Sequence, residues 1–408
     1  TRFLLAALLV VAVFLLARAA AQINAPLAAA LPPTRTPTPS PTPSRTPTPT
    51  PAAQPIYGPV VSQITPDSAM IWVRSNVAAG VRLNYSADPL FLDNVEKTAT
   101  LTTQAASDTT AHFRLTGLQP ATTYYYRVFV DSVPQKDELA AHFTTAPAPD
   151  TLGNFNFVLF SDLSQKAFVG APAYISGALE NPAFVLQTGD FDHSDPASGP
   201  QPITIENWRV MHRNVLQDHA SGSTLSTRLT PYVPFYHTWD DHDYGGNNAD
   251  RTSQWKNEAT QAFKEYYSLP DLPNPQGGLW YSFRYAQAEI FMLDLRSQRD
   301  PDGDPDNADK SMLDGANIPN GQKDWLKSAL LASTARWKFI VSSSVWNPAS
   351  KTTDSWAIYR TEQTELAKFI RANNLTGVIV LSGDLHSGGA IDSGVYSYFP
   401  ELSVPTTN

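Results

Sequence analysis

Asp240-Asp241-His242-Asp243 sets three carboxylates and an imidazole side by side, directly after the apolar run Pro234-Phe-Tyr-His-Thr-Trp239. Such charges repel one another and resist burial; a multivalent cation on oxygen ligands stabilises them together. Two other segments have the same form. Ala183-Phe-Val-Leu-Gln-Thr-Gly-Asp190 leads into Asp192-His193, and Gly377-Val-Ile-Val-Leu-Ser-Gly-Asp384 leads into His386. In each, an apolar strand runs into Asp and His, which points to metal-dependent chemistry. Cysteine is absent, so thiol nucleophiles, disulfides and Cys-ligated zinc or iron–sulfur sites are excluded.

The elements that must position these residues follow from hydrophobic rhythm. From about residue 152 the pattern is α/β, with strands expected at 154–161, 183–187, 232–239, 279–285, 289–295, 338–343 and 377–381. Helices are expected at 171–180, 205–218, 253–267, 321–333 and 362–373. The Asp and His residues then gather at strand C-terminal ends, where open α/β sheets bind ligands. Residues 56–149 alternate in period two, with turn residues between short runs, and read as an all-β sandwich. Its Gly117-Leu-Gln-Pro-Ala-Thr-Thr-Tyr-Tyr-Tyr stretch, with Trp72 upstream, resembles a fibronectin type III-like domain. Residues 150–408 form the α/β part.

The 408 residues are enough for two domains, and the 29 Lys and Arg are scattered in a chain of net charge −9, which offers no footprint for nucleic acid. Residues 1–21 combine Arg2, the apolar run to Ala17 and the small-residue stretch Ala19-Ala20-Ala21, a pattern that reads as a secretory signal peptide or a membrane anchor. Residues 22–55 are a Pro/Thr-rich linker expected to be extended and polyproline-like. The expected location is extracytoplasmic, as a secreted or surface-tethered monomer on a membrane or wall.

Asp162, Asp190, Asp241, Asp384 and His386 resemble, in order and spacing, the calcineurin-like metallophosphoesterase superfamily. More specifically, four stretches resemble the alkaline phosphatase D (PhoD-like) family. They are Thr238-Trp-Asp-Asp-His-Asp-Tyr-Gly245 followed by Asn247, Leu293-Asp-Leu-Arg296 with Arg299, Gly321-Gln322 with Trp325, and Leu381-Ser-Gly-Asp-Leu-His386. The resemblance covers about residues 56–408. It implies a four-layer α/β/β/α metallophosphoesterase sandwich behind the β-sandwich, and hydrolysis of phosphate mono- or diesters by metal-bound hydroxide. It implies two metal ions, with Asp190 bridging, Asp162 and His386 on the first, and Asp241 and Asp384 on the second. His193, three residues after the bridging Asp, stands where the family often has Tyr and is expected to bind through nitrogen. Independently, four carboxylates carry about −4, which offsets two divalent ions or a 2+/3+ pair. So oxygen-rich a set suits Ca²⁺, Mn²⁺ or Fe³⁺ better than Zn²⁺. His242 is the expected proton donor to the leaving group; Arg296, Arg299 and Asn247 are expected to meet the phosphate ester. Asp192, Asp240 and Asp243 are expected to orient their neighbours or cap a helix. Asp294 is expected to satisfy backbone donors, and His237 to lie in the core or to support a ligand from behind.

Two departures stand out. The strand Phe339-Ile-Val-Ser-Ser-Ser-Val-Trp346 lacks the His the superfamily places between its third and last motifs. The family also continues with further strands beyond the point where this chain stops, so a missing sheet edge is expected. Alternatives are a phosphodiesterase or phospholipase D-like enzyme on lipid or wall polymer, and a surface-displayed binding protein with a degenerate metal site.

Overall fold

The computed structural model describes residues 56–135, 141–163, 172–194, 196–216, 225–386 and 388–407. The signal or anchor segment 1–21, the Pro/Thr-rich linker 22–55 and His219 lie outside the described residues.

Period-two alternation yields nine short strands at the start. β1 (Ile56–Ser62) and β2 (Ser68–Ser75) begin the sandwich, followed by β3 (Gly80–Ser86), β4 (Glu96–Lys97), β5 (Leu101–Thr102), β6 (Thr110–Thr116), β7 (Thr123–Val130), β8 (Val133–Pro134) and β9 (Ala141–Thr144). One antiparallel sheet has the order β1-β2-β6; the other centres on β3-β7, with β4, β5, β8 and β9 around them. Val61, Ile71, Val73, Val81, Leu83, Phe113 and Val130 fill the space between the sheets. The Tyr124 hydroxyl accepts the backbone N–H of Gln119 at 3.0 Å, a tyrosine corner. Trp72 faces away from this core. Its indole N–H donates to the Glu265 carbonyl at 2.8 Å, and it packs among side chains of the α/β part.

The α/β part begins with β10 (Val158–Phe160), α1 (Pro172–Leu179), β11 (Val185–Gln187), α2 (Ile205–Leu216) and β12 (Phe235–His237). β10, β11 and β12 form a parallel sheet. The short α3 (Asp241–Tyr244) and α4 (Lys256–Tyr266) follow, then β13 (Tyr281–Tyr285), β14 (Ala288–Met292), α5 (Gln322–Ala332), β15 (Trp337–Ser342), α6 (Arg360–Ala372), β16 (Val378–Ser382), β17 (Ala390–Asp392) and β18 (Glu401–Ser403). The second sheet has the order β13-β14-β15-β16-β18-β17, with β14, β15, β16 and β18 parallel. β17 and β18 were not expected from sequence: three residues each, they carry too little pattern to be read without a partner strand. They continue the sheet beyond β16.

The two sheets pack face to face through aromatic rings. Tyr236 stacks on Phe283 at 3.8 Å between centroids, and Phe157 meets Phe339 edge-on at 5.3 Å. Trp208, Met211 and Val215 of α2 and Ala259, Ala262 and Phe263 of α4 cover the outer face of the first sheet. Leu326 and Leu330 of α5 and Leu366 and Ile370 of α6 cover the second. The expected α/β/β/α layering behind an all-β sandwich is therefore present. The described residues all belong to one compact unit, Pro51–Asn408. Among them no helix is long and apolar enough to cross a membrane.

Candidate metal centre

Every acidic residue singled out at a strand end lies on one edge of the two sheets, because parallel strands deliver their C-termini to the same side. Asp162 follows β10, Asp190 follows β11, Asp240 and Asp241 follow β12, and Asp384 follows β16. The turns are tight. Asp162, Asp190, Asp384 and His386 have φ of 48°, 51°, 58° and 59°, a left-handed backbone that short polar side chains tolerate and that is found where function requires it. Gly189, at φ 107°, admits no side chain: a Cβ there would lie 2.7 Å from the Asp240 backbone nitrogen. That closeness brings Asp190 against the end of β12.

Ligand atoms of Asp162, Asp190, His193 and His386 all lie within 4.8 Å of one another, as do those of Asp190, Asp241 and His242, and those of Asp190, Asp240 and Asp384. Each donor in the first group is aimed by its partners. The Asp384 backbone N–H donates to Asp162 Oδ2 at 3.1 Å and Ser161 Oγ also meets that oxygen, leaving Oδ1 toward the imidazoles. His193 Nδ1 donates to the Leu163 carbonyl at 3.1 Å, which turns Nε2 to within 3.4 Å of Asp190 Oδ2. His386 Nε2 lies 3.1 Å from Asp162 Oδ1 and 3.3 Å from Asp384 Oδ1, and its ring is on the open rim. Asp190 Oδ2 and Asp240 Oδ2 are buried and accept no hydrogen bond. The orphaned Asp190 oxygen beside the His193 nitrogen, and the orphaned Asp240 oxygen of the all-carboxylate group, fit metal ions, whose charge would compensate them.

The electrostatics agree. Burial, reinforced by Asp241, Asp240 and Asp162, pushes the Asp190 carboxyl well above its usual range. Burial and Asp240 do the same to Asp384, against the pull of Lys351. Asp241 is the exception: burial opposes its charge most, but Arg296, His242 and the Asn248 N–H together outweigh it and hold the carboxyl below the usual range. The Asn248 backbone N–H also donates to Asp241 Oδ2 at 2.6 Å. His242 lies over the centre, its ring 4.6 Å from that of His193 and its Nε2 3.9 Å from Asp241 Oδ1. Asn247 is exposed on the loop after α3.

The residues expected to support the ligands have identifiable partners. Asp243 accepts backbone N–H groups of Asp190 at 2.6 Å, Phe191 at 3.1 Å and Asp240 at 3.0 Å, so it caps α3 and ties it to the β11 turn. Asp192 accepts the Ser194 N–H at 2.8 Å, shaping the loop that carries His193. Asp294 accepts the Trp239 indole at 2.7 Å and backbone N–H groups of Leu279 and Ser297 at 2.9 and 3.0 Å. His237 is enclosed by Phe191, Phe263 and Tyr267.

Arg296 and Arg299 are placed differently from expectation. Both are fully buried. Arg296 pairs with Asp240, donates from Nη1 and Nη2 to Asp354 at 2.8 and 3.1 Å, and reaches Ser344 Oγ at 3.3 Å. Arg299 donates to the Tyr359 hydroxyl at 2.9 Å and pairs with Asp302 and, at 2.6 Å, with Asp354. Their donors hold carboxylates beneath the centre rather than face solvent. Sequence reading missed Asp354, Ser343, which donates to Asp240 Oδ1 at 2.8 Å, and Lys351, whose ammonium pairs with Asp384. Asp354 and Lys351 lie in the loop after β15, away from any motif, and Ser343 directly follows that strand as one of three consecutive serines with no charge to mark it, so only the folded structure brings them in.

Comparisons with known proteins identify relatives of this chain. Residues 167–401 match the model of the PhoD-like phosphatase family, and residues 45–147 match that of the PhoD-like phosphatase N-terminal domain. Alkaline phosphatase D of Bacillus subtilis (strain 168) is 26% identical over 376 residues, which span 79% of this chain and 63% of the relative. A solved structure of PhoD superposes with a TM-score of 0.70 at 23% identity, covering 86% of this chain and 76% of that one. Purple acid phosphatase PPD1 from yellow lupin (Lupinus luteus) seeds gives 0.61 at 14% identity, over 86% and 64%. Those two likenesses establish the fold, a metallophosphoesterase sandwich; the family match, which spans more than half of the residues, establishes descent. The chain belongs to the PhoD-like phosphatase family.

Proposed function

We propose that this protein is a metal-dependent hydrolase of phosphate esters acting outside the cytoplasm. The observation that carries the reading is the convergence of Asp162, Asp190, His193 and His386 within 4.8 Å, at the strand ends of a chain from a phosphatase family. Its mixed carboxylate and imidazole donors suit iron or manganese, whereas the neighbouring carboxylate group suits a hard ion such as Ca²⁺ or Mn²⁺. Ions bound there would supply Lewis acidity toward the phosphoryl oxygens and acidify a water molecule. His242, only partly exposed above Asp190 and Asp241, is placed to give a proton to the departing oxygen. Asn247 on the adjoining loop is placed to meet the substrate. Every residue of the centre comes from one chain, so a monomer suffices. The signal-like segment 1–21 and the Pro/Thr-rich stretch support a secreted or tethered location.

Diesters, including those of lipid or wall polymer, are favoured over monoesters by one observation. A monoester presents an extra negative charge, and the two arginines expected to meet it are fully buried and paired with Asp240, Asp302 and Asp354.

The test is metal content together with hydrolysis of p-nitrophenyl phosphate and its bis-ester, for wild type and His242→Ala. Bound metal in both, with turnover about 10²–10⁴-fold lower in the variant, is the expected result. Metal without turnover of either ester in wild type would count against hydrolysis of simple esters. Absence of both metal and turnover would favour a binding role.

A further inference from the structure

The carboxylate group Asp190, Asp240 and Asp384 already holds a cation from the protein. Lys351 leaves the loop after β15, where its carbonyl accepts the Ser355 hydroxyl at 2.8 Å. Its ammonium pairs with Asp384 and lies 3.7 Å from Asp354 Oδ2. Asp240 is meanwhile paired with Arg296 and takes the Ser343 hydroxyl on the same oxygen, Oδ1. What remains is Asp240 Oδ2 and Asp190 Oδ2, both buried and without a donor. The three residues have ligand atoms within 4.8 Å and include no imidazole. The group is thus partly neutralised by a flexible ammonium on one side and retains orphaned oxygens on the other.

We propose that Lys351 is a displaceable internal cation of this second subsite: an ion binding to Asp190, Asp240 and Asp384 must first detach the ammonium from Asp384. The proposal rests on the reading of Asp162, Asp190, His193 and His386 as a metal centre. Lys351 suits the role because an ammonium is a compact charge on a four-carbon stem, with no planar fork to lock it in place. Part of its side chain remains accessible, so it has somewhere to go. The consequence is unequal affinity. The first ion binds to preformed donors, and the second competes with Lys351.

The experiment titrates the full chain, freed of metal, with Mn²⁺ alone and follows free Mn²⁺ and the spin-coupled signal of a Mn²⁺ pair by electron paramagnetic resonance. Wild type should take one equivalent tightly and a second weakly. Lys351→Met should keep the first equivalent and bind the second at least about tenfold more tightly, with the coupled signal at correspondingly lower Mn²⁺; Lys351→Arg should not. A second measurement needs no variant. Amine-reactive labelling of wild type, read by mass spectrometry, should show Lys351 several-fold more reactive in excess Mn²⁺ than with one equivalent. Second-site affinity unchanged in Lys351→Met, or Lys351 labelling unchanged by excess Mn²⁺, would overturn the proposal while leaving the metal-centre reading intact. Failure of wild type to bind any Mn²⁺ would overturn both.

Discussion

Arg296 shows how a residue's surroundings override what its type and motif imply. A guanidinium beside an acidic cluster in a phosphatase-like sequence reads as a phosphate clamp. Here it is an internal counter-ion, in van der Waals contact with protein on all sides. Burial works against the ionisation of Asp354, yet Arg296 and Arg299 hold that carboxyl far below its usual range. Removing one partner of a buried pair strands the other charge, at a cost of about 3–5 kcal/mol. Arg296→Met should therefore lower the free energy of unfolding by about that amount in urea titrations. It should also reduce metal binding, because Asp240 and Asp241 lose the charge that orients them. A variant of unchanged stability whose KM alone rises would restore Arg296 to the substrate side.

At the scale of elements, the sandwich and the α/β layers meet through a charged hub on Asp108. Arg74 of β2 donates to it twice, at 3.0 and 2.8 Å. Arg213 of α2 donates at 3.0 Å, and the Tyr266 hydroxyl of α4 also binds it. Beside the hub, Arg209 of α2 pairs with Glu265 of α4 at 2.7 Å and donates to the Ala106 carbonyl at 2.6 Å. Burial raises the Asp108 pKa, but Arg74, Tyr266 and Arg213 outweigh it and the net shift is downward. The folded value is thus below the unfolded one, about 3.9. The stabilisation is complete above the unfolded value and is lost as pH falls through 3.9 toward and past the folded value. Stability of the wild type should decline between about pH 5 and pH 2.5 more steeply than that of Asp108→Asn, which lacks this carboxyl. Parallel pH profiles from chemical denaturation would reject the hub as a contributor to acid sensitivity.

For the whole molecule, the interface between the sandwich and the α/β layers is built like a core. Trp72 is buried, hydrogen-bonded to Glu265 and 5.5 Å from the Tyr266 ring. The Tyr126 hydroxyl donates to the Pro231 carbonyl at 2.9 Å, and His112 bonds Ser268 Oγ at 2.8 Å. Trp72→Ala should cost about 3–5 kcal/mol, and wild type should unfold in one calorimetric transition spanning both parts. Two resolved transitions in wild type would mean that the sandwich is an independent body. Much of this molecule was legible in the chain. Strand-to-loop junctions at Asp162, Asp190, Asp241 and Asp384 could be read because an apolar run followed by charge is a local pattern. The β-sandwich and the α/β rhythm were legible for the same reason, since hydrophobic period is set by neighbours in sequence. Three things were decided only by tertiary structure: Lys351 on Asp384, the diversion of Arg296 and Arg299 to Asp354, and the turning of Trp72 out of its own sandwich. Each depends on which side chains from distant loops share one low-dielectric space. There, a charge pairs with the nearest opposite charge regardless of separation along the chain.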